Sequence, residues 1–433
     1  MHFTVYSFLG MKKALLLSAL IILCLLSKAG AQISGSDAYE IIYSMFNPGS
    51  EDPNIGLTSF LSTMVPMGGS AESMGMAYTA VVSDASFLEL NPAGSAVLKN
   101  SQFAFFHNNW IADTRVESLV YTMRLGNLGF SVGGKWLYLP FTEYDDFGSR
   151  MATGYYSEAI AIANTAIHLF PGYYFYGLAI GANLKLAYRA MPDYTDDAGN
   201  IIAGSGMDQS AMAVMADFGL LTRFNFLKAY SSREKNSSFG LTIKNVGFPS
   251  KGEPLKTVAS AGFSYNFFKP IMISGDINFP INLDEPAKSS RLYWGLGYSM
   301  SISDFWKLTA GFLLKGGNPR LSFGSSFDFA PLSLDMNYTL DMTTQLAPLH
   351  RMSITARFDL GDGGRADKAA RAEELYLQGL TVYAEGELEL AIVYWNEALK
   401  LNPYFDPAKE SRETALTALE LRHTIEQLQR LEP

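Results

Sequence analysis

The chain has a single cysteine, Cys24, in 433 residues. No disulfide framework and no cysteine-ligated metal site is available to it, and no other metal site or cofactor is expected. Charge is scarce as well: Asp, Glu, Lys and Arg make up 17% of the residues, against about 25% in ordinary soluble domains. The net charge is −9 with no basic cluster, which speaks against a nucleic-acid partner, because phosphate binding needs a basic face. Past the first thirty residues there is no apolar run of the roughly 18 residues that a membrane-crossing helix needs. Low charge without such a run leaves a very large core or a membrane crossed by strands.

Two lysines, an apolar run from Ala14 to Leu26 and the small residues Ala29-Gly30-Ala31 mark residues 1–31 as a secretory signal peptide, with Met11 as an alternative start. Cys24 sits inside that run behind Leu23, a poor fit to a lipoprotein processing site.

Between Ser101 and Leu360 one theme repeats: segments alternating apolar and polar residues, divided by Gly, Pro, Asn and Asp. In "PLSLDMNYTLD" Leu332, Leu334, Met336, Tyr338 and Leu340 share one face, and Ser333, Asp335, Asn337, Thr339 and Asp341 the other. Segments of this kind begin near 101, 115, 127, 155, 173, 209, 238, 256, 270, 291, 305, 319, 331 and 349. An even number of long strands predicts an all-β transmembrane barrel of about 14 antiparallel strands over 101–360. Tight turns are expected after even strands, as at Gly126-Asn127 and Ala330-Pro331, and long loops after odd ones at 140–154, 189–208, 280–290 and 341–348. The stretch 227–237 is too long for its side, which suggests a miscounted strand. Alternation alone also fits a soluble secreted sandwich, which exposed bands of Phe, Leu and Ile disfavour.

Composition shifts near residue 361. From Gly361 to Pro433 there are 14 acidic and 8 basic residues, so 361–366 reads as a linker and 367–433 as a separate helical domain. Within it Gly379, Gly386, Ala391, Trp395, Ala398 and Pro403 occupy the small, aromatic and proline positions of one 34-residue tetratricopeptide repeat. The first-helix aromatic slot departs from that pattern, with Leu375 in place and Tyr376 beside it. Residues 407–430 are predicted as a further amphipathic helix covering the repeat's apolar face.

Ahead of the strands, "GGSAESMGMAYTAVVSDASFLELNPAG" runs from Gly68 to Gly94. Pro92 fixes its own φ and turns Asn91 away from helix, while Asn91 can hydrogen-bond nearby backbone. An ordinary turn before a strand would also use Asn-Pro. Gly75, Ala77, Asp84, Asn91, Pro92, Ala93 and Gly94 make the stretch resemble the N-terminal signature of FadL-type outer-membrane transporters for long-chain fatty acids and hydrophobic compounds, and of their PorV-like relatives. The resemblance implies that 32–100 forms a hatch plugging the lumen, and that a kinked third strand opens the wall to lipid. Gly133-Gly134 in that strand suit a kink, though strand glycines also simply accommodate twist or a bulky neighbour.

No catalytic constellation accompanies this. His107 in "FFHNNW" lacks a nucleophile motif, and Asp193, Asp196 and Asp197 fit a solvated loop better than a cation site. The expected protein is no enzyme. It sits among outer-membrane lipid and passes long-chain fatty acids or similar apolar solutes, with its C-terminal domain in the periplasm. The alternative is a PorV-like scaffold whose repeat docks a periplasmic protein.

Overall fold

The computed structural model describes residues 59–110, 113–144, 146–196, 200–315, 318–342 and 349–431. The expected signal peptide with Cys24, the expected hatch up to residue 58, and Asp197 lie outside the described residues.

The first seven strands are β1 (Gln102–Asn109), β2 (Arg115–Leu125), β3 (Leu128–Tyr144), β4 (Arg150–Leu169), β5 (Leu178–Ala190), β6 (Ala211–Phe224) and β7 (Ser237–Gly247). The second seven are β8 (Thr257–Phe268), β9 (Ile271–Ile281), β10 (Tyr293–Ser301), β11 (Trp306–Lys315), β12 (Asn318–Phe329), β13 (Leu332–Asp341) and β14 (Leu349–Asp359). Each pairs antiparallel with its chain neighbours, and β1 closes the ring on β14 from Gln102↔Asp359 to Asn109↔Met352. Closure leaves no edge strand with unpaired N–H and C=O groups, the condition for an all-strand structure in lipid.

The alternation sorts the side chains. Leu119, Tyr121, Val132, Trp136, Leu184, Met336 and Ile354 are exposed outward, while Ser118, Thr122, Ser131, Lys135, Lys185, Asp335 and Arg357 are buried on the inner face. Polar inside and apolar outside is the reverse of a soluble sandwich.

The strand count matches expectation, with local differences. Residues 140–154 are not a long loop: β3 and β4 continue as a two-stranded hairpin to Tyr144↔Arg150, beyond the last partners of β2 and β5 at Tyr138 and Ser157. Nor does β5 begin near 173. The aromatic run there has strand propensity but turns back on itself, Gly172 N–H donating to Phe175 O at 2.8 Å, and packs Tyr173 against Phe405 from the C-terminal helices. The long connection 225–236 hides no strand. Asn236 ties it off, accepting from Phe226 N at 2.8 Å and donating to Phe226 O at 2.7 Å.

Connections after odd strands gather at one end of the barrel, the loop end, where the short helix α2 (Ser205–Gln209) lies between β5 and β6. Those after even strands, with both barrel termini, form the turn end. There Gly361, Gly363 and Gly364 take φ of 83°, 68° and 75°, a left-handed run that side chains would strain. Asp362 then caps α3 (Arg365–Ala384), its carboxylate accepting from Gly364 N at 2.9 Å and Ala366 N at 2.6 Å; those donors hold it below the ordinary carboxylate value.

Helices α4 (Leu388–Leu401) and α5 (Asp406–Leu431) follow. Gly379 lets α3 approach α4 closely: a Cβ there would lie 2.4 Å from Trp395 Nε1, which donates to Tyr376 O. Ala391, Trp395 and Ala398 are buried in this contact, with Ala408 and Ala415 of α5. The helices rest on the turn end. Arg365 donates to Arg124 O at 2.8 Å, Asp406 accepts from Tyr173 N at 2.9 Å, Tyr174 Oη donates to Glu410 at 3.1 Å, and Arg233 pairs with Glu373.

The outward face predicts lipid exposure. Leu184, midway along β5 and 61% exposed, should on replacement by Arg lower the unfolding free energy in phospholipid vesicles by about 2–4 kcal/mol. Denaturant titration measures it, and a null effect would argue that water faces this surface.

Candidate functional site

Inside the ring lies the chain from Ser59 to Asn100, mostly buried and largely without regular structure. It contains one short helix, α1 (Gly69–Ser73), and 3₁₀ turns at Leu61–Met64, Ala85–Glu89 and Pro92–Ala96. Backbone groups in such a segment need partners, since each one left unsatisfied costs about 1–3 kcal/mol. Inward side chains of the wall supply them. Glu158 of β4 accepts from Leu61 N and Ser62 N at 3.0 and 2.7 Å, and Asp276 of β9 from Tyr78 N and Thr79 N at 3.1 and 2.9 Å. Asn183 of β5 donates to Leu88 O at 2.6 Å, and Asn164 of β4 to Pro92 O at 2.9 Å.

Asn91 performs the converse task. Its Oδ1 accepts from Ala93 N at 3.1 Å, starting the turn that Pro92 preorganises, while Nδ2 donates to Thr79 O at 2.7 Å and to Leu220 O of β6 at 3.1 Å. One fully buried carboxamide thus joins two parts of the segment to the wall. Where the backbone of the segment touches strands, the strands carry glycine. A Cβ on Gly219 would fall 2.3 Å from Asn91 Oδ1, and one on Gly311 2.0 Å from Gly75 N. Gly75 itself takes φ 61°, and a Cβ there would meet Phe312 backbone at 2.6 Å. Gly94 admits the Phe87 ring.

Charges fix the register of the segment against the seam. Arg357 of β14 pairs with Asp84 and with Asp335 of β13 at 2.9 Å, and also donates to Ser70 Oγ at 3.2 Å. Burial raises the Asp84 carboxyl, but Arg357, with help from Ser86, outweighs it and holds the group below its ordinary value. Glu72 accepts from Asn108 of β1, Asn337 of β13 and Ser353 of β14 at 3.1–3.2 Å. Glu89 accepts from Met67 N at 3.1 Å and from Lys135 Nζ at 2.7 Å.

Toward the loop end the packing opens into a cavity that communicates with solvent at its mouth. The inner segment lines it with Met64, Val65, Met76 and Leu90 and with the carboxylates of Glu72 and Glu89. From the wall come Lys185, Lys244, Lys256, Lys315, Arg320 and Arg351.

The structure therefore brings together Gly75, Asp84, Asn91, Pro92, Ala93 and Gly94 in one buried segment. Gly133 and Gly134 are elsewhere in kind: β3 pairs without a break through both, and its register shift falls at Glu143/Tyr144. Gly133 faces inward and makes room for Leu88, whose Cδ2 would lie 2.6 Å from a Cβ. His107 Nδ1 meets the cross-strand carboxylate of Glu117 at 2.7 Å. Asp193 caps a loop turn, accepting from Gly206 and Gly204 N–H groups at 2.8 and 3.0 Å, which lower its pKa.

Residues 42–362 match the profile of a family described as "Uncharacterised protein family (UPF0164)". A UPF0164 protein of Treponema pallidum (strain Nichols) is 30% identical over 396 residues, covering 87% of each chain. A second from the same organism is 25% identical over 375 residues, 83% of this chain and 75% of that one. Among solved structures, the Pseudomonas putida toluene transporter TodX is 12% identical, covering 68% of this chain and 97% of that one with a TM-score of 0.46. A Pseudomonas aeruginosa FadL homologue is 9% identical, covering 68% and 98% with a TM-score of 0.44. Nothing about a ligand follows from likenesses this distant.

Sequence reading missed the partners in the wall. Arg357, Asp335, Glu158 and Asp276 each sit at a polar position of an alternating strand, and a charged residue at such a position in so charge-poor a chain was the available signal. Replacing Arg357 with Met strands two buried carboxylates and should cost about 3–5 kcal/mol. Adding Asp84→Asn and Asp335→Asn should recover part of the loss in denaturant titrations; full additivity of the losses would mean that the three do not act as a cluster.

Proposed function

The chain belongs to the UPF0164 family, and we propose that it is an outer-membrane barrel admitting long-chain fatty acids or other apolar small molecules by passive transport. One observation carries this reading: a closed ring, apolar outside, encloses a cavity to which the inner segment brings Met64, Val65, Met76 and Leu90 beside Glu72 and Glu89, and the wall brings lysines and arginines. An amphiphile meets both surfaces, its chain gaining about 0.8 kcal/mol per CH₂ removed from water and its head the attraction of the cations. In this mechanism the loop end faces outward and takes up the solute. Residues 32–100 act as a hatch and shift about the anchor at Asn91, and the solute leaves down its gradient. No step needs a catalytic group.

A second reading is favoured by the helices at the turn end. Read as one tetratricopeptide repeat with a covering helix, they lie in the periplasm, and α5 keeps Leu421, Ile425 and Leu428 exposed. Such a surface would dock a periplasmic protein, making the barrel a scaffold.

Uptake of a fluorescent long-chain fatty acid into vesicles carrying the folded protein tests the first reading. Saturable uptake above that of empty vesicles is expected, and Asn91→Ala should raise its rate several-fold by freeing Thr79 and Leu220 carbonyls. Folded barrels with no uptake would end the transport reading. Deleting 362–433 should leave uptake unchanged and, on the scaffold reading, lose a co-purifying periplasmic protein.

A further inference from the structure

The six cations of the loop-end cavity are not equally engaged. Lys185 pairs with Asp217 at 2.7 Å and donates to Asn245 at 2.8 Å. Arg320 and Arg351 share Asp341 at 2.7 and 2.9 Å, and Arg351 lies 3.9 Å from Glu72. Lys244, Lys256 and Lys315 have no ion pair or hydrogen bond from their ammonium groups among the described residues. Lys315 lies 5.5 Å from the Tyr293 ring centroid, a ring that also lines the cavity. Glu89 is engaged by Lys135 and Met67 N, and Glu72 by three wall donors; Asp276 accepts the Tyr78 and Thr79 N–H groups on Oδ2, which leaves its Oδ1 as the nearest negative charge acting on Lys244.

Position agrees with this. Lys315 ends β11, Lys244 lies three residues before the end of β7, Arg320 and Arg351 are the third residues of β12 and β14, and Lys256 directly precedes β8. Five cations thus lie toward the loop end of the barrel, in a chain whose net charge is −9. Burial lowers the Lys256 ammonium well below its usual pKa, and its neighbours Lys315, Lys244, Arg320 and Lys135 push the same way. Arg351 is buried and keeps an Nε–H without a hydrogen-bond partner among the described residues. Like charges gathered and desolvated in this way repel one another, and either loss of a lysine proton or a bound anion relieves them. A monoanion neutralises one of the three lysines; a multiply charged head neutralises two or more.

We propose that the loop-end cavity binds a compact, multiply charged oxyanion of the phosphate class, with Lys244, Lys256 and Lys315 as its direct ligands and Arg320 and Arg351 behind them. Lysine suits the task as a mobile point charge for phosphate oxygens, and rings of Lys and Arg select anions in pores. The anion is either free or the head of an amphiphile whose tail lies on Met64, Val65, Met76 and Leu90. The inference names the head-group class for the uptake proposed above and rests on that reading for its route, not for its geometry.

Titration calorimetry on the full chain folded in neutral detergent tests it with three probes: inorganic phosphate, octyl phosphate and octanoate. Saturable phosphate binding is expected, with octyl phosphate at least about tenfold tighter than octanoate. Lys256→Gln and Lys315→Gln should each weaken octyl phosphate about tenfold, the scale of one charge-assisted hydrogen bond. Lys256→Arg should retain binding, and Lys400→Gln on α4 should match the parent chain. Heat-modifiable gel migration establishes that each variant is folded. Equal affinities for the two phosphate probes would identify a free anion, and a gain from the octyl tail would identify an amphiphile head. Absent phosphate binding, octanoate as tight as octyl phosphate, or indifference to both lysine variants would overturn the proposal. Vesicle uptake fails or succeeds separately, so binding without uptake would refute only the transport reading.

Discussion

A chain that enters a closed sheet brings peptide groups that no strand can pair. That constraint governs the inner face of this barrel. Glu158, Asp276, Asn164 and Asn183 project from four different places on the wall to meet N–H and C=O groups of residues 61–92, and Asn91 returns the favour to β6. Each bond is worth little net, but losing one leaves a buried polar group bare, so the arrangement is held by the penalty of breaking it. Glycine in the wall follows from the same cause, because backbone reaches backbone only where no Cβ intervenes.

The constraint also shapes the electrostatics. Acidic side chains of the lumen are consumed in holding the inner segment, as acceptors for N–H groups or as partners of Arg357, Lys135 and Lys185. Near the loop end Lys244, Lys256 and Lys315 have no comparable employment among the described residues, although Lys185, Arg320 and Arg351 pair with Asp217 and Asp341. A chain acidic overall therefore presents a cationic surface at the mouth of its lumen, and the asymmetry arises from packing rather than from composition.

Much of the fold was legible because period-2 alternation survives translation into structure: Met336 faces out and Asp335, Asn337 and Thr339 face in, as their spacing implies. The strand starts followed from the same pattern. It failed where tertiary contacts overrode local preference. The aromatic stretch at 173–176 reads as strand yet serves as a turn under the helices, and the polar tip of β3 and β4 reads as loop yet continues its pairing. The candidate site was half legible. Asn91 and Pro92 stand out as a turn with a donor to spare, whereas the cavity joins Lys244 and Lys256 of the β7–β8 hairpin to Lys185 and Lys315 from distant strands, and only closure of the ring sets them together.

The seam has a further meaning for assembly. β1 and β14, the pair that closes the ring, are also the strands that grip its contents: Gly69 N–H donates to Thr355, Asp84 pairs with Arg357, and Glu72 collects Asn108 and Ser353. Residues 59–100 precede every strand among the described residues, and their partners on the wall lie as far along the chain as Arg357. An empty ring would bring Arg357 to the seam without Asp84, and Asn108 and Ser353 without Glu72. The pairing that closes the ring is therefore also a clamp on what the ring contains, so loss of Asp84 or Glu72 is felt at the seam as well as in the segment.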